Sequence, residues 1–300
     1  MRYQLAADGL DVETYFQEII SKKNLKTRAL LVTAKDDVIS LCNDYAKTLK
    51  NLKAPTQGVW DASTIEALKS CYAVSTMGLS SHKDLILAAL KVQSEINVQR
   101  CAYCMLNDPK TWDHYMPKDF FPEYSVFHEN LVYICYGCNQ RKSSYFDKNN
   151  LIYCHPYFTV DPDHALLHCK VTVANGKLSI QYYGSGIGSL KQAGVVLHEH
   201  ITRLDLIDRF KSEAASTVSG LIGELRQYHP KGISQESLDR VLERRYNEAQ
   251  EKLGCNAWDS RLWHGLAACQ DFLAYVNGKV SLIGAPSSFG FRQSSPPPPP

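Results

Sequence analysis

Two cysteine pairs, Cys101-Ala102-Tyr103-Cys104 and Cys135-Tyr136-Gly137-Cys138, enclose Asp113-His114 and Asn130, and Asn139 follows the second pair directly. A CxxC turn lets two sulfurs converge on one ion, and two such turns supply the four ligands of a closed tetrahedral zinc site. One pair alone could be redox active. Two pairs about thirty residues apart read instead as a structural metal site in a reducing compartment. The other six cysteines, Cys42, Cys71, Cys154, Cys169, Cys255 and Cys269, are scattered and read as small buried hydrophobes.

The residues inside this frame have a different chemistry. An imidazole titrates near neutrality, so His114 can accept a proton from water at cellular pH. Asp113 offers a carboxylate suited to a hard divalent ion such as magnesium. The amide oxygen of Asn139 is a workable ligand for the same kind of ion, and its position is set by Cys138. Asn130 could orient the histidine or tie a loop to the backbone. Arg141 and Lys142 come next in the chain and could hold phosphate oxygens. Each residue has an ordinary alternative as a cap, a turn former or a solvated charge; the combination and its order carry the reading.

The elements around the frame are legible from periodicity. From Val12 to about Val98 the chain reads mainly as helix, with Val12, Tyr15, Phe16, Ile19 and Ile20 on one face and Val38, Leu41, Cys42, Tyr45 and Leu49 on another. Ala54 to Gly58 is a loop, helix resumes near Ala62, and Ser80-Ser81 is an expected N-cap for the stretch that follows. No catalytic motif occurs in this region. Alternation on both sides of Asn175-Gly176 predicts a β-hairpin. Helix returns from Ile201 to Leu253 with a loop at Tyr228 to Gly232, and an apolar helix is expected from about Leu262 to Val276. His198-Glu199-His200 lacks the spacing of a zinc-protease helix and is expected to open a helix capped by Thr202. Cys154-His155 and His168-Cys169 could place a second metal across two strands only through one member of each pair, because strand neighbours face opposite ways. His128 is expected at the surface. The chain closes on five prolines, which read as an exposed polyproline stretch.

The order CxxC, then Asp113-His114-x-x-Pro117-Lys118, then Asn130-Leu131-Val132, then Cys135-x-x-Cys138-Asn139-x-x-Lys142 resembles the HNH nucleases built on a ββα-metal motif. The resemblance spans about Arg100 to Ser144. It implies an α+β fold in which a zinc-stapled ββα-metal core is flanked by a helical N-terminal region and a C-terminal strand-plus-helix region. The corresponding division is 1–97 helical, 98–150 nuclease core, 151–197 hairpin segment, 198–285 helical and 286–300 proline-rich tail. It further implies that His114 is the general base, that Asp113 and Asn139 bind a catalytic magnesium or manganese ion, and that Asn130 braces the loop carrying the histidine. Cys101, Cys104, Cys135 and Cys138 would hold the structural zinc, and Arg141 and Lys142 would face phosphate. Many members of the family carry glycines between the Asp-His and the middle Asn; this chain has Asp119 to Ser125 there, with three aromatics.

The reaction so implied is attack of a His114-activated water on a DNA phosphodiester. The stretch His155-Pro156-Tyr157-Phe158 also resembles the region following the motif in bacterial HNH proteins that partner an ATPase in defence against foreign DNA, so an ATPase partner is a further expectation. The rival class is a zinc-dependent nucleic-acid-binding or assembly module whose nuclease site has decayed. Composition sets wider bounds. With 300 residues, 44% hydrophobic and 21% charged, the chain can bury a large core. No run approaches the roughly 18 apolar residues of a membrane helix, and the N-terminus lacks a signal-peptide core, so an intracellular, cytoplasmic protein is expected. A net charge of only +2 means that a local patch or a partner must supply much of any affinity for nucleic acid.

Overall fold

Short polar residues set the helix starts in the N-terminal region. The computed structural model describes residues 3–6, 10–72 and 77–281. Asp11 accepts the backbone N–H of Thr14 at 2.8 Å and opens α1 (Val12–Ser21). Asn24 does the same for α2 (Leu25–Lys50), and Asp61 for α3 (Ala62–Ser70). Such a cap satisfies a backbone donor that has no partner within the helix. The buried faces follow the three-four spacing: Tyr15, Phe16, Ile19 and Ile20 in α1, and Leu31, Ala34, Val38, Cys42, Tyr45 and Leu49 in α2. One expectation fails here. Ser80 and Ser81 lie inside α4 (Met77–Gln93) and do not cap it. A short α5 (Ile96–Gln99) leads into the first cysteine pair.

The central segment is a hairpin followed by a helix. Strand β1 (Thr111–His114) pairs antiparallel with β2 (Leu131–Ile134), Thr111 opposite Ile134 and His114 opposite Leu131. Helix α6 (Tyr136–Lys142) begins one residue after β2 ends at Ile134, with Cys135 between. The loop joining the strands owes its shape to burial. Phe121, Tyr124 and Phe127 are buried in it. Glu123 is buried too, its carboxylate accepting the Gly58 N–H at 2.9 Å and the Trp60 indole N–H at 3.0 Å. The Tyr124 hydroxyl donates to the Thr56 carbonyl. The N-terminal region thus forms one wall of this loop.

Beyond it, β3 (Leu167–Ala174) and β4 (Lys177–Gly184) form the expected second hairpin, with Ala174 opposite Lys177. Asn175 and Gly176 both have positive φ, +51° and +67°, the requirement of the tight turn that matches strand twist. The α7 (Lys191–Arg203), α8 (Leu206–Tyr228), α9 (Gln235–Leu253), α10 (Trp258–Ala267) and α11 (Phe272–Ser281) helices follow. Where one apolar helix was expected from Leu262 to Val276, there are two, α10 and α11. His198, Glu199 and His200 lie in the last two turns of α7, not at its start, and the Thr202 hydroxyl bonds back to the His198 carbonyl. Helix α10 packs on β3 so closely that a Cβ at Gly265 would meet the Cys169 carbonyl oxygen at 2.5 Å. The described residues form an α+β arrangement with two separate two-stranded sheets. One apolar core runs from α1 through both cysteine pairs to α11. No helix among the described residues is long and apolar enough to cross a membrane. The proline-rich stretch 286–300 lies outside the described residues.

Two fully buried histidines tie these parts together. The His200 ring accepts the Cys154 N–H at Nδ1 and faces the Tyr103 carbonyl with Nε2, at 3.1 and 3.2 Å. His155 accepts the Tyr157 N–H at Nδ1 and faces the Glu129 carbonyl with Nε2, at 3.2 and 2.9 Å. A carbonyl only accepts, so Nε2 carries the proton in both rings. Burial holds both imidazoles down to about 3, against about 6.5 in an unfolded chain. The unfolded chain therefore takes up protons below about pH 6.5 while the folded chain does not. Each ring should remove about 1.4 kcal/mol of stability per pH unit as pH falls from there toward 3. Urea unfolding between pH 7 and 5 should show this loss, and a His200→Gln variant a shallower one; stability flat across that range would contradict the assignment.

Candidate functional site

The four cysteines of the two pairs are buried, and their sulfurs all lie within 4.8 Å of one another. They are the one such cluster of His, Cys, Asp and Glu among the described residues. Local backbone builds each half. In the first turn the Cys101 N–H donates to the Asn107 carbonyl, and the Met105 N–H to the Cys101 carbonyl. Met105 takes a left-handed φ of +58°, which directs the Leu106 N–H at the Cys104 sulfur, 3.4 Å away. In the second, Cys135 is the residue capping α6 and Cys138 lies in its first turn. A tetrahedron with metal–sulfur arms of about 2.3 Å has edges of about 3.8 Å; the Cys104 and Cys135 sulfurs stand 3.9 Å apart. Four buried cysteines so arranged could hold a metal ion such as zinc. Burial drives the Cys101 thiol well above its ordinary pKa, so a bound cation is what would keep it ionised.

Arg209 on α8 completes the surroundings of the cluster. Its guanidinium donates to Cys138 Sγ at 3.5 Å and to Cys104 Sγ at 3.7 Å. Four thiolates around a divalent ion would leave about two negative charges, and Arg209 offsets part of that. No feature of the sequence around Arg209 points to this role, because the contact spans 71 residues. The remaining cysteines are buried or half-buried and unpaired. Cys154 and His155 do not join a second centre: both ring nitrogens of His155 are already engaged.

Beside the cluster, β1 presents Asp113 and His114 in succession. Asp113 is buried, with Oδ2 accepting the Tyr103 hydroxyl at 2.6 Å and Oδ1 accepting the Lys142 ammonium at 3.1 Å. Lys142 also donates to the His114 carbonyl at 2.9 Å and is 0% exposed. This corrects the expectation that Lys142 faces phosphate. It is an interior clamp between α6 and β1. The signal was present in the spacing: Lys142 stands four residues after Cys138, on the inward face of the helix. Arg141 points outward, bonding the Gly137 carbonyl at 3.2 Å and pairing loosely with Asp205 at 3.5 Å.

His114 is half-buried. Its Nε2 lies 2.9 Å from the Ser125 carbonyl, which places the proton on Nε2 and leaves a lone pair on Nδ1. Burial, with Lys118, Lys142 and Lys83 nearby, holds its pKa down to about 3, so the ring is neutral at physiological pH. Asn130 is 0% exposed and uses its amide fully. Its Oδ1 accepts the Tyr45 hydroxyl and the Met116 N–H, each at 2.7 Å. Its Nδ2 donates to the Met116 and Tyr124 carbonyls at 3.0 and 3.1 Å. Asn130 therefore closes the loop through the backbone of Met116 and Tyr124 and ties it to the Tyr45 hydroxyl. Asn139 is half-buried on α6, which packs against β1, and its side-chain amide has no hydrogen-bond partner among the described residues. His128, expected at the surface, is buried beside Tyr15 and Phe127. Tyr45, Tyr103, Ser125 and Arg209 were absent from the sequence reading of the site; the first two looked apolar, and a backbone carbonyl has no sequence signature.

Two outcomes follow from this geometry. Metal analysis of the purified protein should find about one zinc per chain, and Cys135→Ser should lose it together with cooperative unfolding; protein folded and free of zinc would contradict the site. Lys142→Ala leaves the Asp113 carboxylate buried without its cation, and should cost about 3–5 kcal/mol in denaturant unfolding. A loss below about 1 kcal/mol would mean that the pair is not buried in solution. Comparisons with protein-family models, with curated proteins and with solved structures gave no match.

Proposed function

We propose that this protein is a metal-dependent nuclease of the HNH type, hydrolysing phosphodiester bonds in DNA. One observation carries the reading. In the β1–β2–α6 unit the His114 imidazole is locked by the Ser125 carbonyl with its Nδ1 lone pair free, and it follows Asp113 directly on β1. A neutral imidazole held in one tautomer presents a lone pair to a proton, and a phosphate bound beside the ring would raise the pKa that burial and the three lysines hold down. Water attacks phosphorus, its proton passes to His114 Nδ1, and the bond from phosphorus to the leaving oxygen breaks. The Nε2–H bond to Ser125 persists through the step, so the imidazolium that forms keeps its orientation. Asn130 fixes the loop from which that carbonyl projects.

On this reading Asp113 and Asn139 are the donors for a hard divalent ion. Each Asp113 oxygen keeps a lone pair beyond the bond it already accepts, and Asn139 has an amide oxygen available. Asp113 and Asn139 would hold magnesium or manganese, and the bound ion would supply charge stabilisation to the phosphate and the leaving oxygen. The zinc of the four-cysteine cluster is, on this reading, structural. A second reading is favoured by Lys142: its ammonium already neutralises Asp113, as in a nucleic-acid-binding module that needs no catalytic ion.

Nicking of supercoiled plasmid DNA with magnesium or manganese separates the two. The parent should cut, and His114→Ala should cut about 10²- to 10⁴-fold more slowly, the range for losing a general base. A zinc-loaded, folded parent that binds DNA yet never cuts, with either metal, would establish the second reading. Equal cutting by His114→Ala would remove the base assignment alone.

A further inference from the structure

Three elements from different parts of the chain meet at one tyrosine beside His114. Tyr72 follows α3, and its ring centroid lies 4.2 Å from that of His114, at 68°. Lys83, on α4, places its ammonium 4.2 Å from the Tyr72 centroid. Lys118, four residues beyond His114, places its own 5.2 Å from the same centroid. Cation–π contact of this kind is worth about 0.5–2 kcal/mol and sets where the two ammonium groups stand.

Unpaired lysines such as Lys26, Lys170 and Lys177 are exposed to water, whereas Lys83 and Lys118 are half-buried. The other half-buried lysines among the described residues have a partner, Lys23 through the Ser70 carbonyl and the rest through carboxylates. Lys22, Lys35, Lys69, Lys211, Arg203 and Arg245 each have a carboxylate within salt-bridge distance. Neither Lys83 nor Lys118 has an ion pair or a hydrogen bond among the described residues. Lys83 is half-buried, and burial and the charge of Lys118 lower its pKa. Two like charges on one ring, partly withdrawn from water and without an anion, are held at a cost that the cation–π contacts only partly offset. An anion between them would remove that cost. Asp113, whose charge is felt at Tyr72, already accepts Tyr103 and Lys142, and Asp119, next to Lys118 in the chain, pairs with Lys69.

We propose that Lys83, Lys118 and the Tyr72 ring form a subsite for a backbone phosphate next to the one attacked at His114. The inference rests on the nuclease reading and extends it. It gives the helical N-terminal region a direct part in holding nucleic acid through Lys83, and it supplies the local positive patch that a net charge of +2 requires. The two ammonium groups contact phosphate oxygens, a contact common to every sequence, so the subsite positions the strand and does not read bases.

Binding of a fluorescent duplex DNA oligonucleotide tests this, measured by anisotropy on His114→Ala protein across a salt series without added divalent ion. Adding Lys83→Met and Lys118→Met keeps the apolar stems over Tyr72 and removes the charges. Affinity at low salt should fall about tenfold, and the slope of log affinity against log salt should shrink by about one to two. Lys177→Met with Lys191→Met, two exposed positions near the second hairpin, should leave both quantities unchanged. The melting temperature of the Lys83→Met, Lys118→Met protein should stay level or rise, since a repulsion is removed. Unchanged affinity and slope in that protein would overturn the subsite, as would an equal loss in the Lys177→Met, Lys191→Met control. If the parent cuts plasmid and the subsite variant binds normally, the subsite falls alone. If the parent neither binds nor cuts, the nuclease reading and the subsite fall together.

Discussion

Burying an ammonium without a partner costs several kcal/mol, and this fold buries one completely. Lys142 can be inside only because Asp113 and the His114 carbonyl meet it there. That requirement ties the phase of α6 to β1, since the ammonium bonds two successive residues of the strand. It also fixes Tyr103, whose hydroxyl takes the other carboxylate oxygen from within the first cysteine turn. The cysteine cluster and the ion pair therefore constrain the same two elements from opposite ends. Covalent chain connects β2 to α6, sulfur geometry connects α6 to the turn before β1, and the buried pair connects α6 to β1 itself.

The histidines show how one side chain serves two purposes. His114, His155 and His200 each turn Nε2 toward a backbone carbonyl, of Ser125, Glu129 and Tyr103 respectively. In His155 and His200 the second nitrogen accepts a backbone N–H, so the ring is a cross-link with no chemistry left. In His114 the second nitrogen is unbonded. The difference between a closed cross-link and a ring with a free lone pair is a single hydrogen bond, and the residue type alone does not show it.

That contrast marks the limit of what could be read from sequence. The cysteine turns, the Asn175-Gly176 hairpin and the buried faces of α1 and α2 depend on neighbours within a few residues, and all were legible. The start of α3 near Ala62 was legible, though not its Asp61 cap, and helix starts were misplaced at Ser80 and Thr202, where a hydroxyl fits equally well inside a helix. Long-range partners were not legible. The Tyr45 hydroxyl reaches Asn130 across 85 residues, yet in sequence Tyr45 is one more member of an apolar stripe. Lys142 looked solvated because lysine usually is; its place four residues after an inward cysteine was the stronger cue.

The bond between Tyr45 and Asn130 also bears on how the chain comes together. A ribosome releases α2 long before it reaches Asn130, and domains acquire structure as they emerge. The residues of the wall against which the loop closes are thus made before the loop is. The hairpin and α6 share one apolar core with the N-terminal helices, so they are not a self-contained cassette. They are the later-made half of a contact whose first half has already left the ribosome.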